Sequence, residues 1–165
     1  MKKYDINEIR DRAKVELKPN KKLISRLKRM KIRDVDSIVH PLHDDAFDRI
    51  DCLECANCCS HISPIITNKD IERLAKNFRI KAADFIDKYL YLDDENDYVF
   101  NQTPCPFLGI DNYCSVYDIR PKACAEYPHT DRVKFQQILE LSLKNASVCP
   151  VVVDVFDNLK KDFGI

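Results

Sequence analysis

Four of the eight cysteines fall within eight residues, Cys52-Leu-Glu-Cys55-Ala-Asn-Cys58-Cys59. A two-residue gap lets one loop turn two thiolates toward a common ion, and repeating the gap offers a third sulfur, as in the loops that ligate four-iron cubanes. The remaining four, Cys105, Cys114, Cys124 and Cys149, are spread through the rest of the chain. Eight soft ligands allow two four-sulfur sites, or one site with a spare or redox-active set, and spacing alone does not partition them. Side chains of adjacent residues point in different directions in most backbone conformations, so Cys58 and Cys59 are awkward partners on one metal. The preferred division therefore places Cys52, Cys55 and Cys58 with one remote cysteine on a first centre, and Cys59 with the others on a second. Cys149, between Val148 and Pro150-Val151, is also readable as a small buried hydrophobe.

Other chemistry-bearing residues give weaker signals. His40 and His43 are set aside because Pro41 between them argues against a shared helical face. His61, just after the cysteine run, and His129, after Cys124-Ala-Glu-Tyr127-Pro128, are better placed to hydrogen-bond a sulfur than to ligate. No Ser/His/Asp pattern, HExxH or arranged carboxylate pair stands out, so no catalytic residue is assigned and enzymatic activity is left open.

The 165 residues suit one domain, or one domain with an extension, able to bury a core without help from a metal. Only two glycines occur, Gly109 and Gly164, so no phosphate-cradling loop is readable and nucleotide-driven chemistry is disfavoured. The opening residues contain no apolar leader segment, and no run approaches the roughly 18 to 20 apolar residues of a membrane helix. The expectation is a cytoplasmic protein without membrane contact. In a reducing compartment eight cysteines point to metal or redox chemistry before disulfides. Net charge is zero, yet residues 1–33 hold thirteen Lys and Arg against four acids. This basic arm can balance a thiolate-ligated centre, which carries a net charge of about −2.

The positioning elements are helical. Ile6 to Val15 reads as a short charged helix, with a break at Pro19-Asn20 and a basic amphipathic helix through Leu23, Ile24, Leu27 and Met30. The eight basic residues from Lys18 to Arg33 fit a solvated face better than a nucleic-acid site, because no aromatic residues interleave for stacking. Pro41 and the following aspartates should end the arm. Thr67 with Asp70 reads as a capping box opening a helix with Ile71, Leu74 and Phe78 on one stripe. A second helix is expected over 82–90, a short strand over 98–102, irregular loops over 104–128, helical structure over 132–146, and a last helix over 151–163. The fold class is mainly α: a small helical domain with irregular cysteine-bearing loops organised around the metal site. Residues 1–44 form a basic helical extension and residues 45–165 a cysteine-cluster metal-binding domain.

The run Cys52 to Cys59 is followed by Cys105-Pro-Phe107-Leu108, then Cys114-Ser-Val-Tyr117-Asp-Ile-Arg120-Pro121-Lys-Ala-Cys124, then Tyr127-Pro128. This ordered series resembles the YkgJ-type cysteine-cluster family, a zinc- or iron-chelating group, over roughly residues 48 to 150. The resemblance implies metal held by Cys52, Cys55, Cys58, Cys59, Cys105, Cys114, Cys124 and Cys149, most readily as one or two 4Fe–4S clusters, with zinc as the alternative. A similar module accompanies methyl transfer in flagellin lysine methylation, although here Ala125 follows Cys124 where many relatives carry arginine. Arg120, Tyr117 and Tyr127 are expected around the cofactor, the guanidinium donating to a sulfur or a carbonyl and the two rings excluding water. The function expected is an iron–sulfur protein with a redox or methyl-transfer-related role and a protein or redox partner. The alternative is a structural zinc module that scaffolds a partner.

Overall fold

A computed structural model describes residues 4–165. Helices α1 (Ile6–Val15), α2 (Leu17–Leu27), α3 (Ile32–Arg49), α4 (Cys52–Cys55), α5 (Asn57–His61), α6 (Asn68–Phe78) and α7 (Ala82–Tyr89) precede strands β1 (Leu90–Leu92) and β2 (Tyr98–Phe100). Helices α8 (Lys122–Glu126), α9 (Leu139–Asn145) and α10 (Pro150–Phe163) follow. The fold is mainly α, with a small antiparallel pair as its sheet among the described residues. The chain divides into two compact units, one made of residues up to Cys55 together with Pro128–Ile165, the other of Ala56–Tyr127.

In the first unit, helices α2, α3, α9 and α10 bury Leu23, Leu27, Val35, Val39, Leu139, Val155 and Phe156. The apolar stripe read at Leu23, Ile24 and Leu27 is the buried face of α2. The expected break moves from Pro19 to Glu16, because Pro19 falls in the first turn of α2, where its missing N–H leaves no helical bond unmade. Pro41 does not end α3 but lies inside it. Its ring is on the exposed side, while Val35, Val39 and Ala46 are fully buried. Burial of the two valines, worth about 1.5 to 3 kcal/mol each, offsets the roughly 3 kcal/mol cost of an interior proline. Long-range caps complete the unit. Asp36 accepts from the Lys134 and Phe135 amides at 2.7 and 2.9 Å, and the Gln136 amide donates to the Leu27 and Met30 carbonyls.

In the second unit the capping box is present in both directions: Thr67 Oγ1 accepts from the Asp70 amide, and Asp70 accepts from the Thr67 amide. It starts an α6 whose Ile71, Leu74 and Ala75 are buried. Helix α7 ends at Tyr89 and hands the chain to β1, which pairs with β2 in the register Leu90 to Phe100, Tyr91 to Val99 and Leu92 to Tyr98. Phe107 is the hub of the core, with ring centroids 5.1 Å from Tyr89, 5.3 Å from Phe78 and 5.5 Å from Phe100. Cys105 and Cys114 pack against this cluster.

Candidate metal centre

Each cysteine is positioned by a short local device. In the first unit, Asp51 accepts from the Leu53 amide through its carboxylate and from the Cys55 amide through its carbonyl, which starts the single turn α4 carrying Cys52 and Cys55. Cys149 is the N-cap residue of α10 and is buried. Burial pushes its thiol up to about 12, and the Cys52 and Cys55 sulfurs nearby push the same way. Three thiols of this unit thus share one electrostatic environment.

The second unit holds the other five. Ala56, in the left-handed region at φ 49°, starts α5, which carries Cys58 and Cys59. Their sulfurs lie 4.0 Å apart. Although consecutive, these two side chains bring their sulfurs close together on one turn. The Cys105 amide donates to the Cys59 carbonyl at 2.8 Å, which ties the second cysteine loop to the first. Leu108 and Cys114 form an isolated antiparallel bridge, and the Ser115 amide donates to the Phe107 carbonyl. Between them the chain reverses at Gly109. A Cβ there would stand 3.2 Å from the Tyr113 carbonyl oxygen and 2.5 Å from Asp111 Oδ1.

Cys124 sits in α8, which Asp70 and Arg73 of α6 hold in place. Asp70 Oδ1 accepts from the Lys122 amide at 3.0 Å, and Arg73 donates to the Ile119 and Arg120 carbonyls at 3.2 and 2.9 Å. Burial would push the Asp70 carboxyl up, but hydrogen bonds from Thr67, Arg73 and the Lys122 amide together hold it below the usual carboxylate range.

The thiols of this unit also act on one another. Burial pushes Cys105 up to about 11 and Cys124 up to about 12, and it raises Cys114. The charge of a Cys59 thiolate adds to all three shifts. Backbone amides oppose them, those of Phe107 and Leu108 donating to Cys105 and that of Val116 to Cys114. Cys59 is lowered to about 7, chiefly by its hydrogen bond with Cys58.

Arg120 donates to the Tyr117 carbonyl at 2.7 Å and lies over the Tyr117 ring, 4.0 Å from its centroid. Its charge favours the Cys114 thiolate. Tyr117 is partly exposed, and Tyr127 closes the unit just after α8. His61 donates from Nδ1 to the Asn57 carbonyl at 2.9 Å. His40 and His43 belong to the first unit, where they bond the Arg132 carbonyl and Thr130 Oγ1.

All eight cysteines are thiols, none of them in a disulfide. Among the described residues, no group of three or more Cys, His, Asp or Glu side chains is already arranged as it would be around a bound ion. The fit to a metal therefore rests on the donor chemistry: five thiols in one compact unit, with backbone N–H groups aimed at two of them, a pattern that suits thiolate ligation of zinc or of an iron–sulfur cluster. The residue that sequence reasoning missed is Asp70. Its capping-box spacing was legible, but its second set of bonds, to Arg73 and Lys122, joins segments about fifty positions apart and leaves no local signal.

Among known proteins, a family model described as "CxxCxxCC: Putative zinc- or iron-chelating domain" matches residues 51–150. Comparison with curated proteins and with solved structures gives no match. Among the described residues no helix is long and apolar enough to cross a membrane.

Proposed function

The chain belongs to the CxxCxxCC family of zinc- or iron-chelating domains, and from that premise we propose that it is an iron–sulfur protein whose cluster is held in the second unit by Cys59, Cys105, Cys114 and Cys124. The observation that carries this reading is the backbone N–H donation onto Cys105 and Cys114 beside the buried aromatic cluster. Such donors stabilise thiolate charge and raise a cluster's reduction potential. Arg120 adds a positive charge near Cys114, and Tyr117 and Tyr127 would cover the bound cluster. When bound, the cluster would supply one-electron chemistry, in a redox or methyl-transfer-related role served by a protein or redox partner. Cys52, Cys55 and Cys149 form a further thiol group in the first unit, available to a second centre.

The basic residues 18–33 are read as a solvated face. Lys28 pairs with Glu140, and Arg26 lies over the Phe163 ring and donates to its carbonyl.

A structural zinc module is the second reading, and the Cys58–Cys59 spacing favours it. Two thiolates on one tetrahedral zinc stand about 3.8 Å apart, given zinc–sulfur bonds of about 2.3 Å, and these sulfurs are 4.0 Å apart. Anaerobic isolation followed by iron, zinc and acid-labile sulfide analysis separates the two. Brown protein with matching iron and sulfide supports the cluster, and colourless protein retaining stoichiometric zinc supports the module.

A further inference from the structure

We propose that Asp70 and Arg73 are positioning residues for metal binding: from α6 they fix the backbone between Cys114 and Cys124, so that Cys124 is delivered to the centre. This inference rests on the reading of the second unit's cysteines as metal ligands.

Asp70 is a carboxylate only 1% exposed, and both of its oxygens are used. Oδ2 takes the Thr67 amide at 3.0 Å and the Thr67 hydroxyl at 2.6 Å, which completes the cap of α6. That cap needs nothing more. Oδ1 instead takes Arg73 at 2.5 Å and the Lys122 amide at 3.0 Å, fifty-two positions away in sequence. Arg73, held by this pair, reaches on to the Ile119 and Arg120 carbonyls. The two side chains thus hold three backbone groups flanking Pro121, a residue with no N–H of its own to offer.

The held segment cannot order itself. Helix α8 has five residues and no side-chain hydrogen bond from its own N-cap residue, Pro121, and so short a helix does not form alone in water. Lys122 is its first residue and Cys124 its third, so the orientation of the Cys124 side chain follows from the anchor. Direct electrostatic help to the ligand is not the purpose, since a negative Asp70 opposes a thiolate at Cys124. Asp70→Asn removes that charge and turns one of the two acceptor oxygens into a donor, which would favour metal binding if electrostatics ruled and weaken it if position rules.

The test uses the full chain, stripped of metal and reduced, titrated with cobalt(II) in competition with a chromophoric chelator. The thiolate charge-transfer absorption of the bound cobalt reports the ligands. Asp70→Asn and Arg73→Gln are compared with Thr67→Ala, which removes the hydroxyl of the α6 cap and leaves the Lys122 and Arg73 bonds in place. The expected result is a loss of cobalt affinity of about tenfold to a hundredfold for Asp70→Asn and Arg73→Gln, with a weaker charge-transfer band, while Thr67→Ala lowers the melting temperature of the metal-free protein and keeps the affinity. Wild-type affinity in Asp70→Asn and Arg73→Gln would overturn the proposal, as would an equal loss in Thr67→Ala. Should Asp70→Asn fail to fold, Arg73→Gln decides, because its side chain is 40% exposed. A Cys124→Ser control separates the two levels: if wild type shows no thiolate-bound cobalt, or Cys124→Ser binds it unchanged, the metal reading falls and the positioning role with it.

Discussion

The sulfurs of Cys58 and Cys59, consecutive residues on a single helical turn, face each other across 4.0 Å. Their backbone environments nevertheless differ. The Cys59 carbonyl receives the Cys105 amide, and the charge of its sulfur is felt by Cys105, Cys114 and Cys124. Cys59→Ser should therefore abolish metal retention in the second unit, as should Cys105→Ser, Cys114→Ser and Cys124→Ser. Cys58→Ser should retain most of the metal. Equal loss in both members of the adjacent pair, read by metal content per chain, would place them together on one ion instead.

Metal uptake should depend steeply on pH. Burial keeps Cys105, Cys114 and Cys124 protonated at neutral pH in the metal-free protein, with Cys105 up to about 11 and Cys124 up to about 12. Cys59, at about 7, is already half ionised there. Binding must then expel about three protons, so apparent affinity should rise by about a thousandfold per pH unit between about pH 7 and 9. The sign is fixed: higher pH strengthens binding, and acid releases the metal. Zinc titrations in weakly buffered solution, with the released protons counted, check both the slope and the number.

Phe107 couples the Cys105 loop to the core. Its ring meets Phe78, Tyr89 and Phe100 while Cys105, two residues earlier, carries a candidate ligand. Phe107→Ala should cost about 3 to 5 kcal/mol of stability, and, in whatever fraction stays folded, should lower metal affinity by loosening Cys105. Phe107→Leu, which keeps much of the apolar volume, should recover most of both losses. Urea unfolding of the metal-free protein, run beside a metal competition assay, reads the two effects separately.

The first unit has an asymmetric ion pair. Lys160 is 7% exposed and is held by Glu16 and Asp157, and the Lys160 hydrogen bond is the main cause of the lowered carboxyl of Glu16. Glu16→Ala leaves a buried ammonium with Asp157 alone and should cost about 1.5 to 3 kcal/mol, the worth of a hydrogen bond to a charged group. Lys160→Met leaves two acids that reach solvent and should be close to neutral. Thermal unfolding of the two variants orders them, and the reverse order would contradict this view of the pair.

What could be read from the sequence was local. The stripes on α2 and α6, the capping box at Thr67, the short strand at Tyr98 and the final helix behind Cys149-Pro150 all follow from spacing within a dozen residues. Pro41 misled because a residue's own propensity says nothing of the burial available to the opposite face of its helix, where Val35 and Val39 lie. The Asp36 cap on Lys134 and Phe135 and the Asp70 hold on Lys122 were invisible for a related reason: each joins segments far apart in sequence through one side chain. The cysteines stood out as candidate ligands, since their residue type and spacing speak directly to metals. Their grouping was not, because it depends on which backbone crosses which, as the Cys105 amide does at the Cys59 carbonyl.

X-ray absorption at the metal edge of the protein isolated without oxygen tests the central claim most directly, because it reports the atoms bound to the metal. A thiolate-ligated centre predicts a first shell of sulfur alone at about 2.3 Å, together with iron–iron scattering if a cluster is present, and loss of that shell in Cys59→Ser. A first shell of oxygen or nitrogen, or an unchanged sulfur shell in Cys59→Ser, would contradict it.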